Sequence, residues 1–172
     1  MPEILVFSDS HGWQKGMQEA YARQVRRPHL LLHLGDGAKD FEDAFGGEIP
    51  TLGVCGNCDL FSSMHLPEER LTEEGGARIL MTHGHRYGVK SGLGALIRRA
   101  VECNADIALF GHTHMPYLEC IPAGSAVCGI VRARPLYLFN PGSIGRSYGD
   151  ASFGTISIGS GGILLAHGEL LS

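Results

Sequence analysis

The feature that most constrains this chain is a recurring junction, in which a short apolar run ends abruptly in turn residues and a side chain able to bind a metal. It comes first as Ile4-Leu5-Val6-Phe7 running into Ser8-Asp9-Ser10-His11-Gly12. It returns as His29 to Leu34 before Gly35-Asp36-Gly37, and as Thr51 to Cys55 before Gly56-Asn57-Cys58-Asp59. Two further runs, Ala77 to Met81 and Asp106 to Phe110, end in Thr82-His83-Gly84-His85 and Gly111-His112-Thr113-His114. Apolar runs of this length bounded by turn residues read as buried strands. In an open α/β sheet, ligands bind beyond the carboxyl ends of the strands. The five polar tips are therefore expected to meet.

The segments between the runs support an α/β fold. Trp13, Met17, Ala20, Tyr21 and Val25 recur at helical spacing, which predicts a helix over 13–26 that Pro28 ends. Strand, helix, strand makes a right-handed βαβ unit, so Asp9 and Asp36 fall on one sheet edge. A short helix is expected from Ala38 to Phe45, and a hairpin from Glu69 to Met81 about Gly75-Gly76. Leu93, Leu96, Ile97, Ala100 and Val101 mark another helix. From Tyr117 to Leu171 the chain is strand-like and punctuated by glycine. The expectation is two sheets packed face to face with helices outside, in a single domain over residues 1–172.

Composition narrows the function classes. At 172 residues, with 44% apolar and 19% charged residues, the chain reads as an ordinary globular protein. A formal net charge of −4 supplies no strong nucleic-acid-binding signal, and the pairs Arg26-Arg27 and Arg98-Arg99 read as solvated helix ends. No apolar run approaches the roughly 20 residues that span a bilayer, and the start, Met-Pro-Glu, lacks the basic segment of a secretory signal. The five cysteines suggest no disulfide framework, and Cys55-x-x-Cys58 lacks the second pair or following helix of a zinc or redox motif. A cytoplasmic protein is expected. Open strand edges in the last third make a homodimer plausible.

Taken singly, each polar tip is an ordinary turn or a satisfied histidine. Five at successive strand ends, with apolar residues between, form a coherent donor set of carboxylate, amide oxygen and imidazole. That set suits Mn, Fe, Ni, Zn or Mg without a thiolate. Asp9, His11, Asp36, Asn57, His83, His112 and His114 exceed what one ion requires, so two ions sharing a carboxylate is the natural count. Two metals about 3.5–4 Å apart can grip a phosphoryl group and generate hydroxide from a bridging water at neutral pH.

The order D-x-H, GD, GN, H and GHxH resembles the calcineurin-like metallophosphoesterases. The His83-Gly84-His85 and Asn140-Pro141-Gly142-Ser143 variants resemble its small YfcE-type phosphodiesterases. The resemblance implies a four-layer α/β/β/α sandwich and hydrolysis of a small phosphodiester by attack of a metal-bound hydroxide. It also implies two divalent ions, manganese first, with nickel, iron, zinc or magnesium as alternatives. By that resemblance Asp9, His11 and His114 hold one ion, Asn57, His83 and His112 the other, and Asp36 bridges them. A retromer subunit on the same fold serves mainly as a binding module, so a protein-interaction scaffold is the alternative.

One position departs from the wider family. Where many catalytic relatives place a histidine that protonates the leaving group, this chain has Cys58, and a thiol of ordinary pKa near 8.5 is a poor donor to an alkoxide. Water or His85 then supplies the proton, or the substrates have leaving groups that need little help. Cys58 itself reads as a bystander or a support to the ligands. Asp59 either orients Asn57 or sits in a solvated turn, and His85 has the same two readings beside that of proton donor. Asn140 to Ser143 is a turn placed beside the site, and Arg146 reads first as an exposed salt-bridging arginine and second as a phosphate contact. Substrate choice is expected in the loops Phe61 to Met64 and Tyr87 to Ser91.

Overall fold

The structure, a computed structural model, describes residues 3–47, 49–59, 65–145 and 149–171. The expectations placed on Phe61 to Met64 and on Arg146 lie outside the described residues. Strand β1 (Glu3–Phe7) runs parallel to β2 (Leu30–His33), and β2 to β3 (Thr51–Gly53), with α1 (Gln14–Ala22) and α2 (Ala38–Phe45) as the crossovers. The hairpin of β4 (Glu69–Glu74) and β5 (Ala77–Thr82) starts the second sheet. A 3-10 turn at His85–Tyr87 and α3 (Gly94–Glu102) then lead to β6 (Ile107–Leu109), parallel to β5. Next come β7 (Pro116–Ile121), the ribbon of β8 (Ala126–Val127) and β9 (Ile130–Val131), and β10 (Leu136–Pro141). The hairpin of β11 (Ala151–Gly159) and β12 (Gly162–Leu170) returns to the first sheet beside β1.

The sheet orders are β12-β11-β1-β2-β3 and β4-β5-β6-β10-β7. Alternation along the strands makes the layers. Ile4 and Val6 of β1 face Ile79 and Met81 of β5, Ile107 and Leu109 of β6 and Phe139 of β10, which form the core between the sheets. The intervening Leu5 and Phe7 point the other way, onto Met17, Ala20, Phe41 and Phe45 of α1 and α2. Leu80, Ala108 and Leu138 likewise meet Leu96, Ala100 and Val101 of α3. Strands covered on both faces have no polar side, which is why the sequence shows unbroken apolar runs there. The architecture is the expected four-layer α/β/β/α sandwich, with the parallel strands of both sheets delivering their carboxyl ends to one edge.

Several boundaries differ from the sequence expectation, β2 and β6 being shorter at both ends than the runs His29 to Leu34 and Asp106 to Phe110, and two of the differences have a plain backbone cause. Helix α1 stops at Ala22 rather than residue 26, and Val25, counted on its apolar face, is fully exposed. The Arg23 N–H donates to Glu19 O, and Gln24 Nε2 to Ala20 O, which satisfies carbonyls of the last turn. The chain must then turn so that the His29 N–H can donate to Glu3 O and open β2. Strand β3 ends at Gly53 rather than Cys55, because the Cys55 N–H leaves the ladder for Pro67 O. The hairpin stands as expected, with Gly75 and Gly76 both at positive φ.

Candidate metal centre

The tips are built on costly backbone. Seven non-glycine residues among those described have positive φ, and five of them are Asp9, His11, Asp36, His112 and His114, at 44–66°. Asp and His tolerate this left-handed region better than most residues, but it is sparsely populated. Sharp turns after β1, β2 and β6 thus aim these side chains back over the sheet edge. The glycines make room for them. A Cβ at Gly56 would collide with the Asp36 carboxylate, and one at Gly111 with the side chains of Ser8 and Asp9.

The two carboxylates are divided in use. Asp9 is fully buried; its Oδ2 accepts from Ser8 Oγ at 2.6 Å and from the His112 N–H at 3.1 Å. Its Oδ1 accepts no hydrogen bond among the described residues and lies 3.2 Å from His114 Nε2 and 3.9 Å from both His11 Nε2 and His83 Nε2. Asp36 Oδ1 accepts from the Cys58 N–H at 2.8 Å, while Oδ2 is 3.3 Å from His83 Nε2. Burial opposes ionisation of Asp36, yet the hydrogen bond and charge of His83 and the Cys58 N–H hold its carboxyl well below the usual range. Asp9 is also lowered, against burial, by His114, His83 and Ser8.

The imidazoles come mainly from the second sheet. His83 Nδ1 donates to Leu34 O at 2.8 Å, which leaves Nε2 to face Asp36 and, at 3.1 Å, Asn57 Oδ1. His83 and His112 rings stand edge to face at 5.0 Å, and His85 is 5.4 Å from His83. Burial, then the neighbouring His83 and Lys90 charges, push His112 down to about 4, and burial, His83 and Arg86 lower His85. His83 is raised because Asp36 and Asp9 outweigh its burial. Across the cleft His11 Nε2 and His114 Nε2 are 3.4 Å apart.

The remaining expected residues support this cluster. The Asp59 carboxylate accepts four backbone N–H groups, from Asp36 (2.7 Å), Gly37 (3.0 Å), Ala38 (3.1 Å) and Gly56 (2.8 Å). It therefore organises the Asp36 loop, instead of the expected Asn57 side chain, whose Nδ2 donates to Cys58 Sγ. Asn140, fully buried, donates to Gly111 O and Thr113 Oγ1 and so holds the His112 loop. Ser143 Oγ donates to Asp9 O. The sequence reading did not single out Ser8, which orients Asp9, or His33 and Asp40. Asp40 Oδ2 accepts from Ser10 Oγ and the Gly12 N–H, and Ser10 Oγ lies 3.4 Å from His33 Nε2. The polar Ser8-Asp9-Ser10 tip was the available signal for this network.

Three overlapping sets have ligand atoms within 4.8 Å of one another: Asp9, His11 and His114; His11, Asp36 and Cys58; and Asp36, His83 and His112. Such a cluster fits a divalent cation for two reasons. A fully buried carboxylate oxygen without a hydrogen bond is aimed at imidazole nitrogens, and His83, fixed through Nδ1 by Leu34 O, presents its Nε2 to the cluster.

Comparison with known proteins agrees with this geometry. Residues 3–161 match the calcineurin-like phosphoesterase superfamily domain. The chain is 36% identical over 141 residues to the probable metallophosphoesterase YsnB of Bacillus subtilis, covering 82% of this chain and 74% of that protein. A conserved uncharacterized protein of Streptococcus pneumoniae, a predicted phosphoesterase, superposes with a TM-score of 0.69 at 26% identity, covering 92% of this chain and 83% of that one. Two structures at lower identity share the fold. They are wild-type Vps29 of Entamoeba histolytica complexed with zinc (TM-score 0.66, 20% identity, 97% and 98% covered) and an archaeal phosphodiesterase (0.68, 17%, 98% and 99%). This chain belongs to the calcineurin-like phosphoesterase superfamily.

Proposed function

We propose that the protein is a phosphodiesterase that works with two divalent cations, manganese foremost, with nickel, iron, zinc or magnesium also matched by the donor set. The observation that carries this reading is the position of Asp36, which belongs to two ligand sets at once, one with His11 and one with His83 and His112. Asp9, His11 and His114 would hold one cation, and Asn57, His83 and His112 the other, with Asp36 shared. When bound, such a pair polarises a phosphoryl group and acidifies a water that can attack it.

The chain's own groups do the positioning. Hydrogen bonds to Asp9 Oδ2 and Asp36 Oδ1 leave each carboxylate one oxygen for the centre. His85, whose Nδ1 makes no hydrogen bond among the described residues, stands beside His83 and His112 where it can hold a proton for the leaving alkoxide. Cys58 is a poor proton donor by comparison, because burial, its hydrogen bond to Asp36 and nearby carboxylates push its thiol up to about 11. Substrates whose ester oxygens leave with little help fit best, which favours aryl-like phosphodiesters.

The test is to strip the protein with chelator and add Mn(II) or Ni(II) with an aryl phosphodiester. Metal-dependent turnover that Asp36→Ala abolishes supports the reading; no turnover in the parent, or an Asp36→Ala variant equal to it, overturns it. The scaffold alternative draws on the fold shared with Vps29. A scaffold needs no complete ligand set, and the presence of both Asp36 and Asn57 favours catalysis. Five free cysteines fit a reducing cytoplasm, and the exposed edge of β7 fits a homodimer.

A further inference from the structure

Cys58 belongs to one of the three ligand sets, yet the two-cation reading leaves it without a role. We propose that Cys58 is itself a metal ligand. Its sulfur joins His11 and Asp36 on the cation at the His11 side of the centre and biases that position toward thiophilic divalent metals such as zinc, iron or cobalt. The inference rests on the two-cation reading and specifies the chemistry of one of its positions.

Four observations carry it. The Cys58 Sγ, a His11 ring nitrogen and an Asp36 carboxylate oxygen all lie within 4.8 Å of one another. With metal–nitrogen and metal–sulfur bonds near 2.1 and 2.3 Å, two ligands of one ion stand at most about 4.4 Å apart, so small shifts close the set on a cation. The residue is clamped in place, because its own N–H donates to Asp36 Oδ1 at 2.8 Å. Asn57 Nδ2 donates to the sulfur at 3.3 Å, a contact that stabilises negative charge there. Independently, the buried Asp9 Oδ1 accepts no hydrogen bond among the described residues and lies 3.2 Å from His114 Nε2 and 3.9 Å from both His11 Nε2 and His83 Nε2, so it opens onto the cluster that His11 shares with Cys58.

Binding breaks the S–H bond, passes the proton to water and forms the sulfur–metal bond, with no change of oxidation state. A cation at this point reverses the local electrostatics that otherwise keep the thiol protonated. A thiolate among oxygen and nitrogen donors raises affinity for softer metals relative to manganese or magnesium. The pair of positions would then be unlike, one harder and one softer.

Cobalt(II) supplies a readout independent of activity. Titrated into the chelator-stripped protein, cobalt is expected to give a sulfur-to-cobalt charge-transfer band in the near ultraviolet together with visible ligand-field bands. Cys58→Ser is expected to lose the first and keep the second, and to lower zinc affinity relative to manganese about tenfold, the scale on which ligand surroundings tune metal sites. Cys58→His, which offers a nitrogen instead, is expected to lack the sulfur band but recover part of the affinity. Ligand-field bands without a sulfur band in the parent overturn the inference and leave the two-cation reading standing. An unchanged zinc-to-manganese ratio in Cys58→Ser overturns the claimed metal bias. No cobalt binding by the parent overturns the two-cation reading and this inference with it.

Discussion

The two sheets bring unlike chemistry to one edge. The first supplies the oxygen donors, Asp9 after β1, Asp36 after β2 and Asn57 after β3, with a single imidazole, His11. The second supplies only imidazoles, His83 and His85 after β5 and His112 and His114 after β6. The supports differ in the same way. On the oxygen side side chains hold the loops: Ser8 holds Asp9, Asp59 takes four N–H groups, and Asp40 binds Ser10 and Gly12. On the imidazole side two partners cross from the first sheet, Leu34 O to His83 and Asp9 Oδ2 to the His112 N–H, while Asn140 of β10 holds Gly111 O. Neither sheet carries the whole cluster, so it forms only where the apolar core between the sheets brings them into register.

This contrast can be broken at its most shared point. Asp36→Ala removes the carboxylate common to two sets, and metal-dependent turnover of an aryl phosphodiester should fall on the order of a thousandfold, given several kcal/mol of transition-state stabilisation from the metals. Steady-state rates with saturating Mn(II) check it. Next in size is a pH effect confined to the oxygen side. His33 is fully buried, and burial pushes it down to about 4 despite the charges of Asp59, Asp9 and Asp40. A base with a lowered folded pKa is protonated preferentially in the unfolded chain, so its stabilising effect is present above pH 6.5 and is lost as the pH falls toward 4. The loss between pH 7 and pH 4 should be about 3 kcal/mol. Denaturant unfolding should show this extra slope in the parent and not in His33→Gln.

A smaller effect separates support from ligation. Asp59→Asn keeps one acceptor oxygen but cannot take all four N–H groups, and metal affinity should drop about 10–100-fold while the imidazole side is untouched. Calorimetric titration with Mn(II) would show it, and an affinity equal to the parent's would mean the loop needs no such anchor. Smallest is Ser8→Ala, which removes one hydrogen bond from Asp9 Oδ2 and should cost about 1 kcal/mol of stability by thermal unfolding. If it instead matches Asp36→Ala in rate loss, the two carboxylates are not used as differently as their partners suggest.

The sequence made the clustering of the polar tips legible and their supports largely illegible. Asp9, His11, His83 and His112 announced themselves because each follows an apolar run, and strand ends on one edge must converge. The layer order was legible for the same reason, since doubly covered strands lack polar alternation. The role of Asp59 was not, because it lies 3 residues from Gly56 in the chain but answers N–H groups more than 20 residues away. The end of α1 was missed because Val25 keeps the helical period in sequence while Arg23 and Gln24 already close the last turn. Periodicity sees side chains and not the fate of backbone carbonyls. The left-handed backbones of Asp9, His11, Asp36, His112 and His114 were equally invisible, since nothing in an Asp or His reveals its φ.

Those left-handed backbones bear on how such a protein changes over generations. Asp9, His11, Asp36, His112 and His114 each hold a conformation that costs on the order of 1–3 kcal/mol for a side-chain-bearing residue. Replacing any of them by glycine relieves local strain even as it removes a donor. Selection for hydrolysis and selection for a sturdy fold therefore pull in opposite directions at the same five positions. When the first pressure lapses, loss of the centre is downhill, and what survives is a robust sandwich with its edge free for other uses.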